Sequence, residues 1–310
     1  MPTSEERALA DWCAMWLGSR PVDTLFRSGH LSQVTGVVLA DRRRVVVKVR
    51  PDHRRLAGCA YVHERLWRVG FPCPEPLVGP VPFDGGGVAG LVASAETHMP
   101  GGDVLAAAVP GAVDAYAGLL ARMIRLAPPV AGITSMTPGP PWTAWDHAGP
   151  GVWPAADDRP DDLNAIPDTA WLDEIGAAVQ RRLTDYGTVR VVVGHGDFEA
   201  HNIRWRGLDP VAMHDWDSVI VAPEAIVVGL AAAAWPAGAG PFASLDQTAA
   251  FLDAYQRATS RTLPADAIEA AWAAGLWLRA FNEKKWRLDG AVALEPDEAT
   301  ERLRRAGVAM

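Results

Sequence analysis

His195-Gly196-Asp197-Phe198-Glu199-Ala200-His201-Asn202-Ile203 follows directly on an apolar, β-branched run at residues 189–193, and His214-Asp215-Trp216-Asp217 follows a second short apolar run. Runs of this composition read as strands, so both polar clusters fall on turns at strand ends. Asp197 and Asn202 lie five residues apart on one loop, with Asp215 across a short hairpin, so the three side chains can converge on one point. Phosphoryl transfer needs such a set. One carboxylate orients an attacking hydroxyl and accepts its proton, while an Asn oxygen and a further Asp are hard ligands for Mg²⁺. A cation for the phosphates completes the chemistry. Lys48 ends the apolar run Val45-Val46-Val47-Lys48, where a strand holds it rigidly. Alone, a strand lysine reads as an edge charge that blunts aggregation; the downstream cluster turns the reading toward phosphate.

Outward from these motifs the chain divides in two. Leu9, Trp12, Cys13, Trp16 and Leu17 have helical spacing within residues 4–18. Residues 21–35 read as a loop, 37–40 and 45–49 as a hairpin, 51–69 as a helix, and 77–81 and 90–94 as strands around a turn at Gly85-Gly86-Gly87. After Pro100-Gly101-Gly102 the composition shifts to an Ala/Leu-rich helical region at 104–127 and a Pro-, Gly- and Trp-rich stretch at 128–170. Helices are expected at 171–186, 225–235, 245–259, 264–286 and 297–305, with short strands at 203–205 and 211–214. The expected class is α+β, with a small β-rich unit over 1–97 and a larger, mainly helical unit over 98–310.

The 310 residues, 49% of them apolar and 21% charged, suit a globular protein. The net charge of −8, with no arginine cluster longer than the short groups Arg42-Arg43-Arg44, Arg54-Arg55, Arg181-Arg182 and Arg304-Arg305, argues against a nucleic-acid partner. The start is acidic with no apolar segment behind it, unlike a secretory signal, and the longest apolar run, 225–240, is broken by Pro236, unlike a membrane span. Three cysteines without a CxxC spacing point away from disulfides and zinc and toward a reducing cytoplasm.

His195-Gly196-Asp197 through Asn202, followed by Asp215-Trp216-Asp217, resembles the paired loop signature of the aminoglycoside phosphotransferase and choline kinase-like family, relatives of the protein kinases. Gly70-Phe71-Pro72-Cys73-Pro74 and His98-Met99-Pro100-Gly101-Gly102 are similar to further segments of that family, and the likeness runs over roughly residues 25–235. The resemblance implies a protein-kinase-like two-lobe fold, ATP as donor with GTP not excluded, Mg²⁺, and a small-molecule hydroxyl as acceptor. It implies Asp197 as catalytic base, Asn202 and Asp215 as metal ligands, Lys48 as phosphate clamp, Ser32 in the loop over the phosphates, and Thr97 and His98 at the nucleotide hinge. His195 becomes a structural residue of the loop. The family's helix glutamate that pairs with the lysine is missing: Cys59 holds its position, and Glu64 is the nearest acid to replace it.

A dinuclear phosphoesterase using His195, Asp197, His201, His214 and Asp215 is a rival, as is a nucleotide-binding relative without activity. Ala222-Pro223-Glu224 spells a protein-kinase signature but stands too close to Asp215 to leave an activation loop. Glu199, Asp217, Glu224 and Glu283 are candidate acids for ammonium or hydroxyl groups of the acceptor. Trp142, Trp145 and Trp153, in the irregular stretch, are candidates to stack on it. Aminoglycosides, other antibiotics, amino sugars and amino alcohols all remain open as acceptors.

Overall fold

The computed structural model describes all residues except 1–2, 30, 86–88, 135, 188, 239, 241 and 309–310; His30, Gly86 and Gly87 of the expected loops therefore lie outside the described residues. The N-terminal region is a five-stranded antiparallel sheet in the order β1-β2-β3-β5-β4, formed by β1 (Pro21–Ser28), β2 (Gln33–Leu39), β3 (Arg44–Pro51), β4 (Pro76–Pro82) and β5 (Leu91–Thr97). Strand β1 replaces the loop expected at 21–35. As an edge strand it is exposed at most positions, so its sequence carries charge rather than apolar alternation. Helix α1 (Ser4–Leu17) starts in a capping box, Thr3 with Glu6, and ends at Gly18 in the left-handed conformation.

Alternation along β3 sorts its side chains. Val45, Val47 and Val49 pack with Trp12, Cys13 and Leu17 of α1, so Val46, Lys48 and Arg50 take the opposite face. Helix α2 (Leu56–Arg68) directs Cys59, Val62 and Leu66 into the same core as Trp216 of the C-terminal region. The His63 ring stacks on that indole at 4.8 Å. The two regions are thus joined through the 215–217 segment.

The C-terminal region holds α3 (Ala112–Leu126), α4 (Ala170–Tyr186), α5 (Glu224–Ala234), α6 (Leu245–Thr259), α7 (Ala265–Arg287) and α8 (Pro296–Arg305). Every residue of α5 is buried, which its Ala-rich sequence permits by close approach. A Cβ on Gly229 would lie 2.1 Å from the Ala271 carbonyl oxygen of α7. Among the described residues no helix is long and apolar enough to cross a membrane.

Two small antiparallel ladders position the polar loops. β6 (Val191–His195) pairs with β9 (Val219–Pro223), a strand the sequence reading did not anticipate. Because His195 lies opposite Val219, the residues just after β6 and just before β9 emerge at the same end. Between them β7 (Ile203–Arg206) and β8 (Asp209–Met213) form a hairpin pairing Ile203 with Met213. The His214 amide donates to the Asn202 carbonyl at 2.8 Å, closing the hairpin's base. These ladders bring Asp197, Asn202 and Asp215 together.

Candidate active site

A cleft of about 950 Å³ lies between the sheet face of β3 and the 195–217 loops. Lys48 is buried, and its Nζ lies 3.0 Å from Asp215 Oδ1. Burial alone would push the ammonium down, but the negative charges of Glu96, Asp215 and Asp217 outweigh it and hold Lys48 protonated above its ordinary value. Asp215 stands in the left-handed region at φ 62°, a conformation Asp and Asn tolerate. Burial would raise its carboxyl, yet Lys48 brings it down to about 2. Asp217 forms an ion pair with Arg50.

The geometry of the 195–202 loop rests on a buried histidine. Asp197 N–H donates to His195 Nδ1 at 3.2 Å, so Nε2 carries the proton and meets the His214 carbonyl at 3.1 Å. Burial lowers the pKa of His195, keeping it neutral. Asn202 Nδ2 donates to Asp197 Oδ2 at 2.8 Å and to the Asp197 carbonyl at 3.0 Å. The amide oxygen of Asn202 is thereby left for another partner. Burial, then the charges of Glu199 and Asp215, push Asp197 up to about 8 despite the Asn202 hydrogen bond.

An ionised Asp215 carboxylate and an Asn oxygen are hard donors of the kind Mg²⁺ takes when phosphates and water supply the rest. The residues present therefore fit that ion. Among the described residues no three His, Cys, Asp or Glu side chains gather into a metal-binding group. His201 instead pairs with Glu199 at 3.0 Å, and His195 is spent on the loop. Nothing in the geometry favours a dinuclear phosphoesterase.

Several expected residues fall elsewhere. Glu64 does not reach Lys48: its carboxylate takes Arg68, one turn on, at 2.6 Å. Thr97 faces away from the cleft, because alternation puts it on the Val45 side of the sheet, where its Oγ1 accepts from Glu75 N–H at 2.9 Å. Glu224 is buried against Tyr255, Arg190 and Arg261, and Glu283 accepts from the Ala293 and Leu294 amides and from Arg287. Both are structural ion-pair centres outside the cleft lining. Ser32 and His98 do line it. Gly29 makes the Ser32 turn possible: at φ +131°, a Cβ there would lie 1.8 Å from Ser32 O. Of the three tryptophans, Trp153 is core, stacked on Trp277 at 5.0 Å, Trp145 packs on the helical core, and Trp142 lines the cleft.

The sequence reading missed Glu96. Lys48 pairs with Ser94 and Val46 with Glu96, so Glu96 is the diagonal neighbour of Lys48 on one face of the sheet. It is buried; burial would raise its carboxyl, but Lys48 and the nearby His214 and His63 bring it down to about 2. A lone acid in Leu91-Val92-Ala93-Ser94-Ala95-Glu96, two residues on from Ser94, carries the signal.

His63 yields a pH test. Its Nε2 lies 2.8 Å from the Pro74 carbonyl, and burial depresses it to about 4 from 6.5. A depressed folded value gives stability that is present above pH 6.5 and lost as pH falls through about 4. His63→Phe keeps the stack on Trp216 and cannot titrate. Between pH 7.5 and 4 the wild type should lose on the order of 3 kcal/mol more than the variant, read as converging melting curves; parallel curves would rule this out.

The sequence profile of the phosphotransferase enzyme family (APH) matches residues 24–280. The chain belongs to this family. It is a small-molecule phosphotransferase with the protein-kinase-like arrangement of a β-sheet N-terminal region and a helical C-terminal region. No curated protein sequence matches it. Among solved structures, an amicoumacin kinase in complex with AMP-PNP, Ca²⁺ and Ami is similar at TM-score 0.63 and 11% identity, covering 98% of this chain and 92% of that one. A spectinomycin phosphotransferase in complex with ADP and spectinomycin is similar at TM-score 0.55 and 12% identity, covering 99% and 94%. A choline/ethanolamine kinase family protein from Mesorhizobium loti follows at 0.53 and 12%, covering 98% and 94%. At these identities the likeness is one of fold, which agrees with the family assignment.

Proposed function

We propose that this phosphotransferase moves the γ-phosphate of ATP onto a hydroxyl of a small molecule, in the cleft between residues 1–97 and 98–310. The observation that carries the reading is the convergence of Lys48 from β3 with Asp197, Asn202 and Asp215 from the β6–β9 loops in one cleft. Lys48, held protonated by Glu96 and Asp215, binds phosphate oxygens. Ser32 and the turn at Gly29 cover them. Asn202 and Asp215 would hold Mg²⁺, which when bound neutralises charge developing on the phosphates. Asp197 receives the hydroxyl proton; Asn202 fixes one of its oxygens and leaves the other to the acceptor.

Calorimetry with Mg-ATP, beside nucleoside-diphosphate release over a panel of alcohols, tests the reading. Lys48→Ala removes a charged hydrogen-bond donor to phosphate, worth about 1.5–3 kcal/mol, so nucleotide affinity should fall about 10–10²-fold. Unchanged affinity in a folded variant would place the nucleotide elsewhere.

A further inference from the structure

We infer that Glu96 reads the base of the nucleotide: its carboxylate accepts a hydrogen bond from the 6-amino group of adenine and turns away a 6-oxo purine, which makes the donor ATP and not GTP. This rests on the phosphotransfer reading of the same cleft. Strand register decides where the base lies. One cross-strand row runs Ser28, Val34, Lys48 and Ser94, and the next runs Phe26, Gly36, Val46 and Glu96. The two rows share a face of the sheet and stand about 7 Å apart, two residues along each strand. Lys48 claims the first row for phosphate. On its far side Arg50 is paired with Asp217, so no apolar shelf continues there. The second row supplies one. A Cβ on Gly36 would lie 2.3 Å from Phe26 Cε1, so the missing side chain lets the Phe26 ring lie across β2, between its own strand and Val46. The Phe26 ring also meets that of His98 at 5.8 Å. Phe26, Val46, Glu96 and His98 all line the cleft. They form a slot with an apolar floor and a polar end, the surroundings a purine needs.

Two groups at the polar end call for partners. Glu96 is buried, and the closest basic nitrogen among the described residues, His214 Nδ1, stands 3.9 Å from its Oε1, beyond hydrogen-bond length. His98, two residues on and on the same face, has Nδ1 buried without a hydrogen-bond partner among the described residues. Buried polar atoms are normally satisfied, so both mark the place of a ligand. Lys48 and the nearby histidines hold Glu96 ionised, and an ionised carboxylate offers acceptors only. Adenine carries an amino donor at C6, where guanine carries a carbonyl oxygen. The amino group completes the carboxylate, whereas the carbonyl sets lone pairs against lone pairs. Guanine could instead offer its N1–H and 2-amino group, but that edge takes both carboxylate oxygens side by side, and Oε1 is turned to His214. Burial and Arg44 lower the pKa of His98, so its ring stays neutral and can donate from Nδ1 to the ring nitrogen beside the amino group.

The experiment is calorimetry on the full chain with Mg-ATP, Mg-GTP and Mg-ITP, the last replacing the 6-amino group of ATP by an oxygen. ITP and GTP should each bind about 10–10²-fold more weakly than ATP, the cost of one hydrogen bond to a charged group. Glu96→Gln keeps an acceptor oxygen and adds an amide donor that can meet a 6-oxo group. The preference for ATP over ITP should then shrink about tenfold, even where the loss of a charge beside Lys48 weakens both. Phe26→Ala removes the ring and not the polar end, so it should weaken ATP and ITP by the same factor and leave the preference standing. Equal affinity for ATP and ITP in the wild type, or tighter binding of GTP than of ATP, overturns the inference without need of any variant. So does a Glu96→Gln protein that loses affinity for both nucleotides alike, since that marks Glu96 as a partner of Lys48 and nothing more. Unchanged ATP affinity in Phe26→Ala would put the base elsewhere and overturn it too. Binding of none of the three nucleotides is a distinct result, which sinks the phosphotransfer reading and this inference with it.

Discussion

Asp197→Asn should lower kcat about 10²–10⁴-fold, the contribution of a positioned general base, while Mg-ATP affinity stays nearly unchanged. In barrier terms that is about 3–5 kcal/mol. The substitution keeps the side chain's size and one acceptor oxygen, and the loop is held by the Asp197 amide on His195, which the change does not touch. What is lost is basicity. Burial and the charges of Glu199 and Asp215 push this carboxyl up to about 8, near the range where a base both exists ionised at working pH and pulls a proton well. The same shift supplies an independent readout in the metal-free protein. A carboxyl raised from 3.8 to about 8 contributes stability that is full below pH 3.8 and lost as pH rises through about 8. The Asn variant has no such loss, so its melting temperature should gain on the wild type across that interval. Undiminished phosphate transfer by the variant removes Asp197 from the chemistry. A melting advantage that does not grow with pH means the carboxyl is not the strained group described.

Much of this site was legible in the sequence because it lies on short, strongly patterned segments. Lys48 lies at the end of one β-branched run and Asp197 just after another, while Asn202 and Asp215 flank the hairpin of β7 and β8, which fixes their approach within a few residues. The helices of the C-terminal region were legible for a similar reason, since their apolar periodicity is long. Legibility failed where partners come from far along the chain. Glu64 and Glu96 are both acids near an apolar segment, and only strand register tells which one shares a face with Lys48. Glu224 and Glu283 look like free acids until Arg190, Arg261 and Arg287 are seen to surround them. Strand β1 was hidden by its exposure, and β9 by an Ala-Pro-Glu ending that hides its pairing with β6.

Asp215→Asn should reduce Mg²⁺-dependent turnover by about 10³-fold, the scale of the several kcal/mol that a bound metal ion supplies to a phosphoryl transition state. Asn is the informative replacement. At φ 62° an Ala would add backbone strain, whereas Asn accepts the left-handed conformation and keeps an oxygen in place. The variant therefore removes one charge and little else. Two opposing effects on the empty protein follow. Asp215 is brought down to about 2 against the cost of its burial by Lys48, so its loss removes a favourable pair whose contribution is present above pH 3.8 and lost as pH falls through about 2. Against that, Asp197 loses a repelling neighbour. Lys48 also keeps Glu96, the larger of the charges that hold it protonated, so no buried cation is stranded. The pair is half open to solvent on the Asp215 side, at 46% side-chain exposure, which limits its worth. The expected outcome is a melting temperature within a few degrees of wild type, about 1 kcal/mol or less at this size, with turnover almost gone and the Mg²⁺ concentration for half-activity raised. Full turnover at ordinary Mg²⁺ would take Asp215 out of the metal set. Loss of the folded transition together with activity would make it a structural partner of Lys48 instead.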